Sequence, residues 1–296
     1  MIRDLRASPP QLPSSTSQAL AFSRGAITSP NNAASDLRTH RAFTIAVTAP
    51  RLLTCKRGFA AHFAVQLASL LRAENASVCV VDADVESRDI GVRFGVDGPV
   101  LLDIAKQLSV AGSARPDDII ARIDELNLSI LPTQPPQPAL LPLLRNKTAA
   151  LLGPLASGFD FVVVDAPVGL GVDSLEWDRS VLQHVDALVV AVTADPASFG
   201  SALRYLNALV AAIARGALPS TFEISMVLTG SDADGTRSLL SEPALERKLE
   251  GLPVIGSVSQ LWGRQRPNGM LEAQLDAITQ ERLAAIVRKV IGLETS

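Results

Sequence analysis

At 296 residues and 47% hydrophobic content, the chain can bury one large core or two small ones, which excludes an intrinsically disordered class. Its 27 basic and 30 acidic residues nearly balance, so no global field draws it to nucleic acid or anionic lipid, and any such binding must be local. No stretch approaches the roughly 20 continuous apolar residues needed to cross a bilayer, and the N-terminus lacks the apolar core of a secretory signal, so a cytoplasmic protein is expected.

Residues 1–41 are rich in Ser, Pro, Asn and Ala, carry the pair Pro9 and Pro10, and hold no sustained helical or strand period; they read as a flexible arm before a domain spanning 42–296. From there, short β-branched runs alternate with longer amphipathic stretches. The runs are TIAVT (44–48), SVCVVD (77–82), LSIL (128–131), FVVVD (161–165), ALVVAVT (187–193), EISMVL (223–228) and PVIGSV (253–258). Each is almost wholly apolar, as a strand covered on both faces must be, and helical segments such as 60–71 and 199–214 lie between them. The pattern predicts an α/β fold: a doubly wound, mostly parallel, seven- to eight-stranded sheet with helices on both faces. Ligands of such sheets gather at the carboxyl ends of the strands.

The first run ends at Thr48 and leads into APRLLTCKRGFAAHFAVQLASLL. A strand, an eight-residue turn that ends on a lysine and then an Ala-rich helix resemble the deviant phosphate loop of the ParA/MinD-type P-loop ATPases, usually written GKGGVGKTT. The resemblance places Pro50 on the first Gly, Arg51 on the signature Lys, Leu52 and Leu53 on the Gly pair, Cys55 on the last Gly, Lys56 on the phosphate-binding Lys and Arg57 on the Mg-binding Thr. Of these only Lys56 matches. A phosphate cradle needs glycines so that backbone N–H groups converge on the anion, and a hydroxyl to hold Mg²⁺ beside it. Pro50 has no N–H, Leu52, Leu53 and Cys55 add bulk, and Arg57 sets a cation where the metal ligand belongs. Arg51, Lys56 and Arg57 at a helix start can still attract a phosphate or an acidic side chain. A solvated basic turn without a ligand is the alternative.

The second run continues as VVDADVESRDIGVRFGV, similar to the family's VVDADP segment. By that resemblance Asp84 would orient the water that attacks the γ-phosphate, with Asp82 just before it. FDFVVVDAPVGLG is similar to YDFVIIDTPPGL, which implies that Asp165 reaches Mg²⁺ through water and that the Gly169 N–H meets the γ-phosphate. Acidic residues ending a strand are common in any α/β protein; their order after the basic turn is what makes them specific. Further on, HVDALVVAVTADPASFG fits the family's strand-to-helix stretch with Pro196 in place, while Thr229 stands where a base-binding Asn is usual. The resemblance covers residues 43 to about 293.

Three remaining features carry less. Leu283, Ile286, Val287 and Val290 form a helical stripe near Arg282, Arg288 and Lys289, expected to pack on the sheet, with an anionic membrane surface as the alternative. The chain ends soon after, so no C-terminal membrane-targeting extension is expected. His40, His62 and His184 have no ligand spacing and read as structural or solvated.

The resemblance implies ATP and Mg²⁺ as cofactors, a homodimer, protein partners of a positioning or assembly system, and recruitment by them to a pole, the nucleoid or a membrane. Two functions follow: a pseudo-ATPase scaffold for partitioning, division-site, flagellar or pilus positioning, favoured by the loss of the loop glycines and the metal hydroxyl together; or an active ATPase that binds through a divergent loop and cycles between monomer and dimer.

Overall fold

The computed structural model describes residues 41–50, 58–84, 89–96, 120–132, 151–153, 155–167, 181–193, 196–219, 221–229, 254–258, 275 and 277–293. The chain divides into Met1–Arg38 and Thr39–Ser296, and the described residues all belong to the second unit. The arm expected at 1–41 therefore lies outside them except for Arg41.

Eight strands form one sheet: β1 (Phe43–Thr48), β2 (Val78–Asp82), β3 (Ala121–Ile123), β4 (Leu128–Leu131), β5 (Phe161–Asp165), β6 (Ala187–Thr193), β7 (Glu223–Thr229) and β8 (Val254–Val258). Their order across the sheet is β3-β4-β2-β5-β1-β6-β7-β8. Every pairing is parallel except β3 with β4, which is antiparallel at the edge. The seven apolar runs all became strands. The eighth, Ala-Arg-Ile, was not foreseen because three residues with a central Arg carry no apolar run; it pairs Arg122 with Ser129 at the sheet edge, where an outward charge is tolerated.

Side chains alternate across a strand, so each β-branched run serves two cores. Ile45, Val47, Val78, Val80, Val163 and Val189 meet α1 (Phe59–Leu70) and the last helix on one face. Ala46, Cys79, Val81, Val162, Val164 and Val190 meet the long helix Pro196–Ala214 and helical residues 151–153 and 155–158 on the other. With α2 as Asp89–Phe94, these later helices are α3 (Pro196–Ala214) and α4 (Ala277–Val290). Helices thus cover both faces, as a doubly wound sheet requires. Full burial of each such Val, Ile or Leu contributes about 1.5–3 kcal/mol.

The stripe of α4 is buried: Leu283, Ile286, Val287 and Val290 are all in the core beneath α1 and β8, so it packs on the sheet and is not available to a membrane surface. Gly256 makes the close approach of β8 to α4, since a Cβ there would sit 2.8 Å from Ile286 Cγ1. Helix α3 is long and apolar enough to cross a membrane, yet Phe199, Ala202, Tyr205, Leu206, Leu209 and Ala212 are buried against the sheet, as in the core helix of a soluble fold.

At the amino ends of the strands, acidic residues serve the backbone. Asp160 Oδ2 accepts from both the Ser77 amide and hydroxyl, at 2.8 and 2.7 Å. Asp186 Oδ2 accepts from the Thr44 amide at 2.8 Å, and its Oδ1 pairs with Arg41 at 3.1 Å. These carboxylates staple β1, β2, β5 and β6 together, which leaves the carboxyl ends as the place to seek chemistry.

Candidate functional site

Strand register assembles the acidic residues. Val47 of β1 lies opposite Asp165 of β5, and Asp165 lies opposite Asp82 of β2. Asp82 shares its parity with Val78 and Val80, and Asp165 with Val163, so both carboxylates lie on the face that carries α1. Asp82 is 0% exposed and Asp165 3%. Asp84 follows two residues beyond the end of β2 and is also buried. The structure thus brings the three predicted carboxylates to one corner of the sheet.

Backbone bonds extend this corner past the strand ends. The Ala166 amide donates to Val47 O at 2.9 Å and the Ala83 amide to Asp165 O at 3.0 Å. Thr48 Oγ1 donates to Pro167 O at 3.1 Å, tying the exit of β1 to the exit of β5. Pro50, just beyond, is buried. The predicted residues Arg51, Lys56, Arg57 and Gly169 lie outside the described residues.

The description resumes at Gly58, the residue before α1. Its φ of 86° is left-handed, which glycine takes without strain. Gly58, as N-cap, has no side chain to cap α1, and no acidic residue stands in the helix's first turn. Over Gly58 lies the guanidinium of Arg93 from α2: a Cβ on Gly58 would stand 2.7 Å from Cζ and 2.9 Å from Nη2. One turn into α1, His62 is buried, its amide bonded to Gly58 O at 2.9 Å. Burial first, and the nearby Arg93 charge second, lower its pKa to about 4, so it is neutral near pH 7. Its Nε2 has no hydrogen-bond partner among the described residues. Of the two expectations for His62, structural or solvated, its burial rules out the second.

Neither Arg93 nor Gly58 stood out in the sequence. The only signal was a glycine directly before the predicted helix and an arginine on an amphipathic stretch. Thr229 at the end of β7 is buried beside Thr193, and its hydroxyl has no partner among the described residues.

The donor set bears on Mg²⁺ and nucleotide. Hard cations take oxygen ligands in groups. Among the described residues no three His, Cys, Asp or Glu side chains cluster to hold a metal ion. Position 57, where the hydroxyl ligand would be needed, is Arg. The Arg93 guanidinium lies over Gly58, a cation placed where it would attract an anion. In sequence, Pro50 and Arg57 depart from a Mg–nucleotide site of the usual P-loop kind, and the turn 51–57 lies outside the described residues.

The sequence matches no protein-family model and no curated protein at a significant level. Solved structures do match. The cell-division ATPase MinD of Pyrococcus furiosus is 18% identical and superposes with a TM-score of 0.65 over 86% of this chain and 100% of its own. MinD of Pyrococcus horikoshii, solved with Mg-ADP, is 17% identical, with a TM-score of 0.61 over 85% of this chain and 97% of its own. The MinC:MinD complex of Aquifex aeolicus gives 16% identity and a TM-score of 0.63 over 86% and 98%. Together with the strand order and the acidic corner, these likenesses show that the chain has the ParA/MinD-type P-loop ATPase fold.

Proposed function

We propose that the protein is a ParA/MinD-like spatial-organisation protein that works as a pseudo-ATPase scaffold, keeping the fold while binding partners without nucleotide turnover. The observation that carries this reading is the turn after β1: it offers Pro50 where the first glycine belongs and Arg57 where the metal-holding hydroxyl belongs. Losing the glycines and the hydroxyl together removes contacts that depend on one another.

In this role the protein is cytoplasmic, dimeric and held at its place in the cell by protein partners of a positioning or assembly system. The likeness to a MinD solved together with MinC supports a protein partner. The near-balanced charge favours protein over nucleic acid or lipid as the partner.

A second reading has its own observation. Asp82, Asp84 and Asp165 are kept at the strand ends, where ATP hydrolysis would use Asp84 to orient water and Asp165 to reach a water-bound metal. In that case Arg51 and Lys56 hold the phosphates and the protein cycles between monomer and dimer.

Light scattering of the full chain with and without MgATP, run beside a phosphate-release assay, separates the two. The scaffold reading expects a dimer mass that nucleotide does not change and no release above background. Dimerisation that requires MgATP, with release lost in Asp84→Ala, is the outcome of the second reading.

A further inference from the structure

A strand at the edge of a sheet offers its backbone to other chains, and β8 is one of the two edges here. It is the more hazardous of the two. The opposite edge, β3, has three residues and carries Arg122, whose Nε pairs with Asp124 at 2.9 Å, while β8 reads Val-Ile-Gly-Ser-Val without a charge and is only half-buried from Val254 to Ser257. An uncharged, β-branched edge invites a further strand unless something interrupts it.

Two features interrupt it, and they meet at one residue. Met226 of β7 pairs with Val254 and the next residue, Val227, with Gly256, so Ile255 has no partner across the ladder. Side-chain direction records the same extra residue. Val254 packs on the core shared with α3, Ile255 on the core shared with α4, and a Cβ on Gly256 would meet Ile286 of α4, so two consecutive positions face α4 where regular alternation allows one. A bulge of this kind twists the strand and breaks the row of backbone groups that an added strand would need. It also accounts for Gly256, because the second residue turned toward α4 has no room for a side chain.

The carbonyl of the unpaired residue is taken from another side. Lys289, on the exposed flank of α4, donates from Nζ to Ile255 O at 3.1 Å. Its helix neighbours Ile286 and Val290 are buried, so the ammonium reaches the strand from a fixed base. A lysine head at this point satisfies the carbonyl and sets a charge where an incoming strand would have to strip water from it.

We propose that Lys289 guards the bulged edge of β8 against edge-to-edge pairing with a second copy of this chain, which confines self-association to other surfaces. The inference is separate from the scaffold reading: it concerns the sheet edge and holds whether or not the protein turns over nucleotide.

Sedimentation of the full chain across a concentration series, paired with hydrogen exchange on peptides covering 254–258, tests the guard. In Lys289→Ala the mass is expected to climb with concentration to about double that of the unsubstituted protein, as two β8 edges join. Exchange at 254–258 should then slow roughly tenfold between dilute and concentrated samples, because those amides gain partners. Lys289→Arg is expected to behave as the unsubstituted protein, since a guanidinium can donate to the same carbonyl. Arg288→Ala removes the same charge one residue away without uncovering Ile255 O, and should not associate. A mass in Lys289→Ala that matches the unsubstituted protein overturns the proposal. So does association that leaves exchange at 254–258 unchanged, or equal association in Arg288→Ala. If Lys289→Ala fails to fold, Lys289→Met keeps the stem, loses the donor and carries the same comparison.

Discussion

Asp82 and Asp165 stand opposite each other in the β2–β5 register, on the same face of the sheet and both closed off from solvent. Two carboxylates so placed repel whenever both are charged, and a low-dielectric setting strengthens that repulsion.

The first prediction concerns Asp82. Asp82→Asn keeps an oxygen that can accept the Gly91 amide. Asp82→Ala removes the acceptor and should lie below Asp82→Asn by roughly 1 kcal/mol. Urea unfolding of the two variants at pH 7 gives the difference; equal stabilities contradict a role for the Gly91 bond.

His62 makes the fold sensitive to acid. Its folded pKa of about 4 lies below its ordinary 6.5, so the unfolded chain takes up a proton first as pH falls. Stability is unaffected above pH 6.5, is lost between 6.5 and 4, and the loss levels off below 4, amounting to roughly 3 kcal/mol at most. His62→Leu, whatever its own cost, should remove that part of the pH slope. Urea midpoints at pH 7 and pH 4.5 for both proteins check it, and parallel losses in the two would count against the assignment.

The packing of β8 on α4 gives a third expectation. Gly256→Ala puts a methyl 2.8 Å from Ile286 Cγ1 and 3.1 Å from Cδ1, which should cost about 1–3 kcal/mol. Because the two residues share one space, the cost of Gly256→Ala should shrink in an Ile286→Ala background. Additive losses in thermal unfolding would mean that β8 moves away instead.

Much of this architecture was legible in the sequence because parallel strands buried on both faces must be continuously apolar. Val78–Val81 and Phe161–Val164 could be little else, and the acidic residue closing each run marked its carboxyl end. Strand β3 was illegible for the converse reason: at an edge, Arg122 is tolerated and no pattern is demanded. The Asp82–Asp165 adjacency was also hidden, since the two residues stand 83 positions apart in strands that the crossover topology makes neighbours. Arg93 shows the limit most clearly. Nothing at short range distinguishes it from a solvated arginine, and its meaning arises only when α2 packs against Gly58. The basic residues Arg51, Lys56 and Arg57, and Gly169, were singled out by resemblance and lie outside the described residues.

The scaffold reading meets its most direct test in isothermal titration of the full chain with ATP and Mg²⁺. A turn lacking the cradle glycines and the metal hydroxyl is expected to give no binding heat at millimolar ligand. Submillimolar affinity that disappears in Lys56→Ala would contradict it and make the protein a nucleotide-binding member of this fold.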